Sequence, residues 1–371
     1  MSELKAHVTR PGDLSGDDLA LWRSFMDITP ALKVAFLSPS YALTAQRCFP
    51  SVRVAKLLRD GETVGFFPFQ FRSALHRAFG IGQRLSGNLA DYFGIVAAPG
   101  FKTTNVELLR ACGLKSLFFD HLDETQIAFG LTGTQSYPGL RIGFEAGAKA
   151  FWEDRRVVDK KFTSDTERRE RKIVEALGPL RFTFDHEDTA GELAKLIEAK
   201  RRQYARTGAS DSMARPSTRR FLEAISSLKE TDCRAVLSVL EAGETWVCSH
   251  FGLMCGGTLH YWFPVYNPEL RAFAPGRLLV KAIIGCAEQS GVTEIDRGAG
   301  DTQAKRDFAT SRHTYSRGLW GTGGMTSAIY HAGLSVGWRM ESLKQAASGM
   351  GAKAGERIKQ STFIRAENSQ P

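Results

Sequence analysis

Residues 271–305 read RAFAPGRLLVKAIIGCAEQSGVTEIDRGAGDTQAK, and the fold turns on how this stretch is parsed. Pro275 suits the first turn of a helix, where a missing N–H costs nothing. Leu278, Leu279, Ala282, Ile283 and Cys286 then recur at helical spacing until Gly291 stops the run. That spacing predicts a helix with one buried face. Residues 292–295 read as a short strand, which delivers Asp296, Arg297, Asp301 and Lys305 to a glycine-rich loop at its end. Polar loops at the ends of buried elements are where α/β proteins tend to carry their chemistry.

Upstream of this block, residues 234–241, 245–254 and 258–266 read as three strands joined by tight turns at 242–244 and 255–257, an antiparallel meander. Before the meander, Pro216 opens an amphipathic helix with Phe221, Leu222, Ile225 and Leu228 inward. The polar tract 207–215 separates it from another helix, for which Thr189-Ala190-Gly191-Glu192 has capping-box spacing and Leu193, Leu196, Ile197, Lys200 and Tyr204 share a face. Lys200 is the odd member: its ammonium either snorkels to the surface or faces a polar cavity, and Tyr204 shares the ambiguity. With a strand at 181–184, the second half reads β–α–α–β–β–β–α–β.

The first half is mixed α and β. Residues 14–48 read as helix in two pieces, broken at Pro30 and at Ser38-Pro39-Ser40, where Ser38 or Ser40 suits a cap. Residues 52–58 and 64–71 form a hairpin signal around Asp60-Gly61-Glu62. A basic loop (72–84), the segment 85–96, a short helix near 106–111 and an apolar strand at 116–119 follow. Between the halves, residues 151–177 interleave Arg155, Arg156, Lys160, Lys161, Arg168, Arg169, Arg171 and Lys172 with acidic residues, the pattern of a solvated connecting helix or of an anion-binding patch. The domain expectation is therefore 1–150, 151–330, and a tail (331–371) holding one helix over 335–347 and a mobile basic end.

Composition bounds the function classes. A chain of 371 residues with 43% hydrophobic residues can bury a full core, and its 24% charged residues are ordinary for a soluble protein. No apolar run approaches a membrane span and the N-terminus shows no apolar leader, so a cytoplasmic location is expected. Six scattered cysteines without a CxxC pair suggest neither a disulfide framework nor a metal site. The net charge of +9 favours an anionic partner: nucleic acid, anionic lipid or a phosphorylated cofactor.

The order of elements is that of the GNAT acyltransferase superfamily. More narrowly, APGRLLVKAIIGCAEQSGVTEIDRGAGDTQAKRDF, HYWFPVYNPEL and KRRQYARTG resemble the CelD-like acetyltransferase family associated with cellulose and exopolysaccharide biosynthesis, which is similar to FemAB-type peptidyltransferases. The resemblance implies two GNAT-like halves in tandem, the first degenerate, each a mostly antiparallel sheet flanked by helices in an α/β (mixed α+β) fold. It implies acetyl-CoA or another acyl-CoA as cosubstrate, and transfer to an amine or hydroxyl acceptor, small molecule or saccharide. Aminoacyl-tRNA as donor, or a scaffold with a decayed fold, are the alternatives.

In such a fold the pyrophosphate of CoA lies on backbone N–H groups at a helix start, where free donors and the helix dipole favour an anion. Here that turn is Arg271-Ala272-Phe273-Ala274-Pro275-Gly276, with alanine where the superfamily's first glycine is expected; Arg271, Ala274, Gly276 and Arg277 are the cofactor candidates. Proton transfer points to His250, in a meander strand, and Asp301, which otherwise pairs with Lys305 or caps a helix. Tyr261 and Tyr266 are strand aromatics able to protonate a leaving thiolate. Lys200, Tyr204, Arg297 and Lys305 are the candidate substrate contacts, and no metal is expected.

Overall fold

The meander folds as the sequence predicts, and it forms one wing of a sheet that runs through the whole molecule. A computed structural model describes residues 2–324, so the helix expected over 335–347 and the basic end lie outside the described residues. The elements below belong to the compact unit Met1–Trp320.

The first part of the chain forms β1 (Lys5–Thr9), α1 (Gly16–Ile28), α2 (Pro39–Cys48), β2 (Val52–Arg59), β3 (Glu62–Phe71), α3 (Ala74–Ala78), β4 (Ile81–Gln83), β5 (Val96–Ala97), α4 (Asn105–Ala111), β6 (Ser116–Asp123) and β7 (Gln135–Gly143). Two charged helices follow, α5 (Gly147–Val158) and α6 (Lys160–Leu177). The second part comprises β8 (Leu180–Thr183), α7 (Thr189–Thr207), α8 (Pro216–Ser226), β9 (Arg234–Ala242), β10 (Thr245–Cys255), β11 (Thr258–Tyr266), α9 (Pro275–Gly285), α10 (Ala287–Ser290), β12 (Glu294–Ala299), α11 (Gln303–Arg306) and β13 (Ser311–Gly321).

The strand order, β1-β2-β3-β4-β6-β13-β7-β12-β11-β10-β9-β8, repeats itself about its centre. Each wing is strand, two helices, two antiparallel strands and then a parallel pair: β4 with β6 in one, β11 with β12 in the other. The last strand of each part crosses to the other side of the centre. β7 pairs antiparallel with β12, and β13 sits between β6 and β7. The fold is thus a large, mostly antiparallel sheet flanked by helices.

Local chemistry explains the element ends. Ser38 caps α2, accepting from Tyr41 N at 3.1 Å, and Asp159 breaks the charged segment into two helices by capping α6 through Phe162 N at 2.9 Å. Helix α7 starts one residue earlier than its capping-box spacing suggests. Asp188 accepts from Gly191 N at 2.9 Å, while Thr189 becomes the first helical residue and bonds backward to His186 O. Strand β12 continues through Ala299, so Asp296 and Arg297 lie on a strand, facing opposite sides of the sheet, rather than in the expected loop.

Two apolar layers hold the sheet. On one face Trp22, Phe36, Phe66 and Phe221 pack with Leu196, Phe251 and Trp262, and Trp22 stacks on Phe66 with ring centroids 5.1 Å apart. On the other face Leu279, Ile283 and Ile284 of α9 pack onto Ile142, Leu259 and Ile295. Each such buried side chain contributes roughly 2–3 kcal/mol by area removed from water. All six cysteines are free thiols, four of them buried.

Candidate active site

The parallel strands β11 and β12 pair over only three rungs, Thr258–His260 against Glu294–Asp296. Beyond that rung β11 runs on to Tyr266 and β12 to Ala299 without meeting, because β12 bulges between Asp296 and Ala299, where Gly298 takes φ 64°. A cavity of about 350 Å³ opens at this parting, with Tyr261, Pro264 and Tyr266 on one wall and Arg297 on the other. Its mouth is the first turn of α9, Pro275-Gly276-Arg277, with Arg271 and Ala274 beside it.

That first turn leaves a backbone donor free among the described residues. Ala274 adopts φ 53°, ψ 58°, the left-handed conformation for which glycine would be the easy choice. Arg277 N and Leu278 N both donate to Ala274 O, at 2.9 and 3.3 Å, and Pro275 has no N–H. Gly276 N–H is left without an acceptor among the described residues, at the positive end of the helix dipole. A side chain at 276 would meet nothing within 4 Å, so the space above this N–H is open.

Deeper in, the Arg297 guanidinium lies 4.8 Å over the Tyr261 ring, and its Nε and Nη1 have no hydrogen-bond acceptor. Burial lowers its pKa from the usual arginine range. Lys200 enters from α7, donates from Nζ to Pro264 O at 2.8 Å and packs 5.6 Å from the Tyr204 ring; burial alone pulls its pKa down to about 8. The cavity therefore gathers cations whose charges find few partners in the protein.

Residues 160–306 match the acetyltransferase (GNAT) domain family. A solved structure similar over most of its length is the C-terminal domain (DUF2156) of a protein assigned as a lysylphosphatidylglycerol synthetase from Agrobacterium fabrum, at 10% identity, TM-score 0.51, covering 86% of this chain and 96% of that one. FemX matches at 11% identity and TM-score 0.46 over 79% and 92% of the two chains. A tandem GNAT protein from the clavulanic acid biosynthesis pathway matches at 12% and 0.46 over 87% and 100%. None of the curated protein sequences matches. The GNAT-type match covers the second part of the chain, within a mixed α/β fold, and no described helix is long and apolar enough to cross a membrane.

Of the residues singled out in sequence, Lys200, Tyr261, Tyr266, Arg271, Ala274, Gly276, Arg277 and Arg297 line the cavity. Arg271 is exposed at the rim, with no side-chain partner among the described residues. Arg277 is instead tied down: it donates to Asp165 at 2.9 Å and Asp307 at 3.4 Å and lies 4.6 Å over Phe162. Tyr204 sits behind Lys200.

His250 is fully buried and stacks on Tyr261 at 4.4 Å, with neither ring nitrogen hydrogen-bonded. Burial, reinforced by the Arg297 charge, holds its pKa down to about 3, so the ring is neutral at any physiological pH. Asp301 does not pair with Lys305 but with Arg306 and Arg312, at 3.0 and 3.3 Å, and the helix start beside it has no side-chain cap. Lys305 donates to Ala299 O at 2.6 Å and Gly298 O at 3.3 Å, bracing the bulge. Burial brings its pKa to about 8.

On the far face of the same sheet lies a group that sequence reasoning missed. Asp296 accepts from Tyr92 Oη and, at 2.7 Å, from Gly298 N; Arg141 donates to Tyr92 Oη at 3.0 Å, and His260 Nδ1 lies 3.7 Å from Asp296. Burial pushes the Asp296 carboxyl up, but the His260 and His313 rings and Arg141 outweigh it and hold the group ionised, below the usual range. His260 had a local signal, lying in one predicted strand while Asp296 directly follows another. Tyr92, Arg141 and His313 come from distant segments that no short-range pattern joins.

Proposed function

We propose that the protein is an acyltransferase that takes an acyl-CoA in the cavity between β11 and β12 and passes the acyl group to an amine or hydroxyl acceptor. The observation that carries this reading is the parting of the parallel pair directly beside an open helix start. Gly276 N–H and the exposed Arg271 suit the pyrophosphate, and the unpartnered Arg297 suits the thioester carbonyl or a second anionic group at the cavity floor. In thioester aminolysis a protonated phenol can return the proton to the departing thiolate. Tyr261, whose pKa is raised by burial, keeps its proton and faces the cavity. His250 sets the Tyr261 ring from behind, and Asp301 orders the loop through Arg306 and Arg312.

The corresponding place in the first wing is differently filled. The start of α4 is closed by Thr104, which accepts from Glu107 N at 3.1 Å, while Arg84 spans the end of the β4–β6 pair to reach Asp120 at 2.5 Å. This supports one acyl-CoA site, in the second half, with residues 1–150 as the degenerate partner. In the charged helices Arg156 pairs with Glu167 and Arg168 and Arg169 pair with Asp165, while Lys160, Lys161, Arg171 and Lys172 are exposed without an ion pair among the described residues, so the choice between acyl-CoA and a tRNA donor falls to the binding test. A role in exopolysaccharide or envelope synthesis rests on the motif resemblance.

Thermal unfolding with acetyl-CoA, longer acyl-CoAs, free CoA and charged tRNA tests the donor. A ligand present at about 100 times its dissociation constant stabilises by about 2.7 kcal/mol. The expected result is stabilisation by CoA esters and none by tRNA. Stabilisation by charged tRNA alone would overturn the assignment.

A further inference from the structure

We propose that α3 and the basic residues around it form a docking surface by which the chain sits on an anionic phospholipid bilayer. The two wings of the sheet differ at one connection. In the second wing β10 and β11 are joined by Gly256 and Gly257 alone, whereas in the first wing the corresponding strands, β3 and β4, are joined by residues 72–80, which hold α3. An antiparallel pair turns without a helix, so α3 serves something other than the strand connection.

Helix α3 buries none of its residues. Leu75 is 65% exposed and Phe79 47%, and with Ala78 they stand at i, i+3 and i+4, an apolar stripe in contact with solvent. So short a helix has no stability of its own in water. Here Ser73 caps it, accepting from His76 N at 3.3 Å, and Ser73 Oγ and His76 Nδ1 share a hydrogen bond of 2.7 Å. The chain thus holds two large apolar side chains out in water at a fixed place, the mark of a contact surface.

Charge selects what the surface meets. Between Glu62 and Asp91 the sequence holds no acidic residue, while Arg72 and Arg77 are exposed and make no ion pair among the described residues. Arg53, on β2, stands near enough to Arg77 and Arg10 that burial first, and then those two charges, lower its pKa, with Asp13 opposing them. Guanidiniums without carboxylate partners beside a leucine and a phenylalanine make up an interfacial surface: the apolar side chains enter the acyl boundary and the arginines meet the phosphate headgroups. A bilayer accepts single inserted side chains. A stable protein partner needs roughly 800 Å² per side, more than a five-residue helix presents. The exposed pair Val157 and Val158, at the α5–α6 corner, is interleaved with Glu153, Asp154 and Asp159 and lacks this one-sided charge.

The test is co-sedimentation of the full chain with sucrose-loaded vesicles of phosphatidylcholine alone or of phosphatidylcholine with one quarter phosphatidylglycerol. The chain is expected to pellet with the anionic vesicles and to bind phosphatidylcholine alone roughly tenfold or more weakly. An arginine at an anionic surface is worth about fivefold in partition, so Arg72→Gln/Arg77→Gln should bind about 25-fold more weakly. Leu75→Ser/Phe79→Ser should lose roughly tenfold or more. All four side chains are exposed, so both variants should keep the parent Tm, and Val157→Ser/Val158→Ser should keep the parent's vesicle binding. No partition onto anionic vesicles, undiminished partition of Leu75→Ser/Phe79→Ser, or a loss in the valine variant instead would overturn the proposal. So would a concentration-dependent dimer in sedimentation velocity that Leu75→Ser/Phe79→Ser abolishes, because a second copy would then cover the surface.

Discussion

Replacing Arg297 by methionine separates stability from binding, and the structure fixes the sign of both effects. Arg297 is half-buried, its Nε and Nη1 are buried and unpaired, and its principal contact is the Tyr261 ring. An uncompensated buried cation costs several kcal/mol after relaxation, whereas a desolvated cation–π contact returns about 2 kcal/mol. Methionine fills comparable length without the charge and keeps an aromatic contact through sulfur. The net expectation is stabilisation by about 1–3 kcal/mol, a rise in Tm of roughly 1–4 °C for a chain of this size, whose unfolding entropy is about 2.1 cal/mol/K per residue. Acetyl-CoA should add almost nothing to the variant, against about 2.7 kcal/mol for the unchanged protein at a hundredfold excess over Kd. Differential scanning calorimetry with and without acetyl-CoA reads both. A variant that melts below the parent and still gains the full acetyl-CoA increment would show that Arg297 is structural and that the anion binds elsewhere.

Ala274→Gly relieves a left-handed alanine worth about 1–2 kcal/mol, less about 0.7 kcal/mol for the extra freedom of unfolded glycine, so chemical denaturation should show a gain of up to about 1 kcal/mol with acyl-CoA affinity kept. Ala274→Val, β-branched at the same φ, should lose stability. Gly139→Ala drives a methyl into His313 and Tyr315 and should cost at least about 2 kcal/mol in the same assay. Lys200 carries a pKa of about 8 in the fold against 10.5 unfolded, so the unfolded chain binds more protons between those values. Its burial penalty is therefore full below pH 8 and is relieved as pH rises to 10.5, by about 3 kcal/mol. In Lys200→Met the share of that rise due to Lys200 should be lost from urea titrations, leaving the contribution of Lys305, whose pKa is also about 8.

The second wing was legible because its signals are local. The meander strands alternate and end in tight turns, α8 and α9 open on proline, and the resulting order is that of the acyltransferase fold. Ala274, marked in sequence as standing in a glycine's place, does hold a glycine's backbone conformation. The central strands were not legible. β7 (QSYPGLRIG) contains proline and two glycines, one of them required by His313, and β13 (SRHTYSRGLWG) buries histidine and tyrosine where a pattern search expects aliphatic residues. β1 and the three-residue β4 are too short or too polar to stand out. For the same reason the far-face cluster escaped notice. Its members come together only because β7 and β13 cross the centre of the sheet, and no local pattern encodes that exchange. The proton-transfer candidates were drawn from a strand and a loop, without knowledge of which sheet face each residue occupies.

Gly276 offers the most direct test of the acyl-CoA site. A side chain there meets nothing, the backbone is ordinary helix, and a carboxylate in the first helical turn is favourable to the dipole by about 0.3–1 kcal/mol. Gly276→Glu should therefore melt at or above the parent temperature while placing a negative charge over the free N–H. Isothermal titration calorimetry with acetyl-CoA is predicted to show binding to the parent and a loss of at least a hundredfold in affinity for Gly276→Glu. Equal affinity in a folded Gly276→Glu would contradict the claim that the start of α9 holds the cosubstrate.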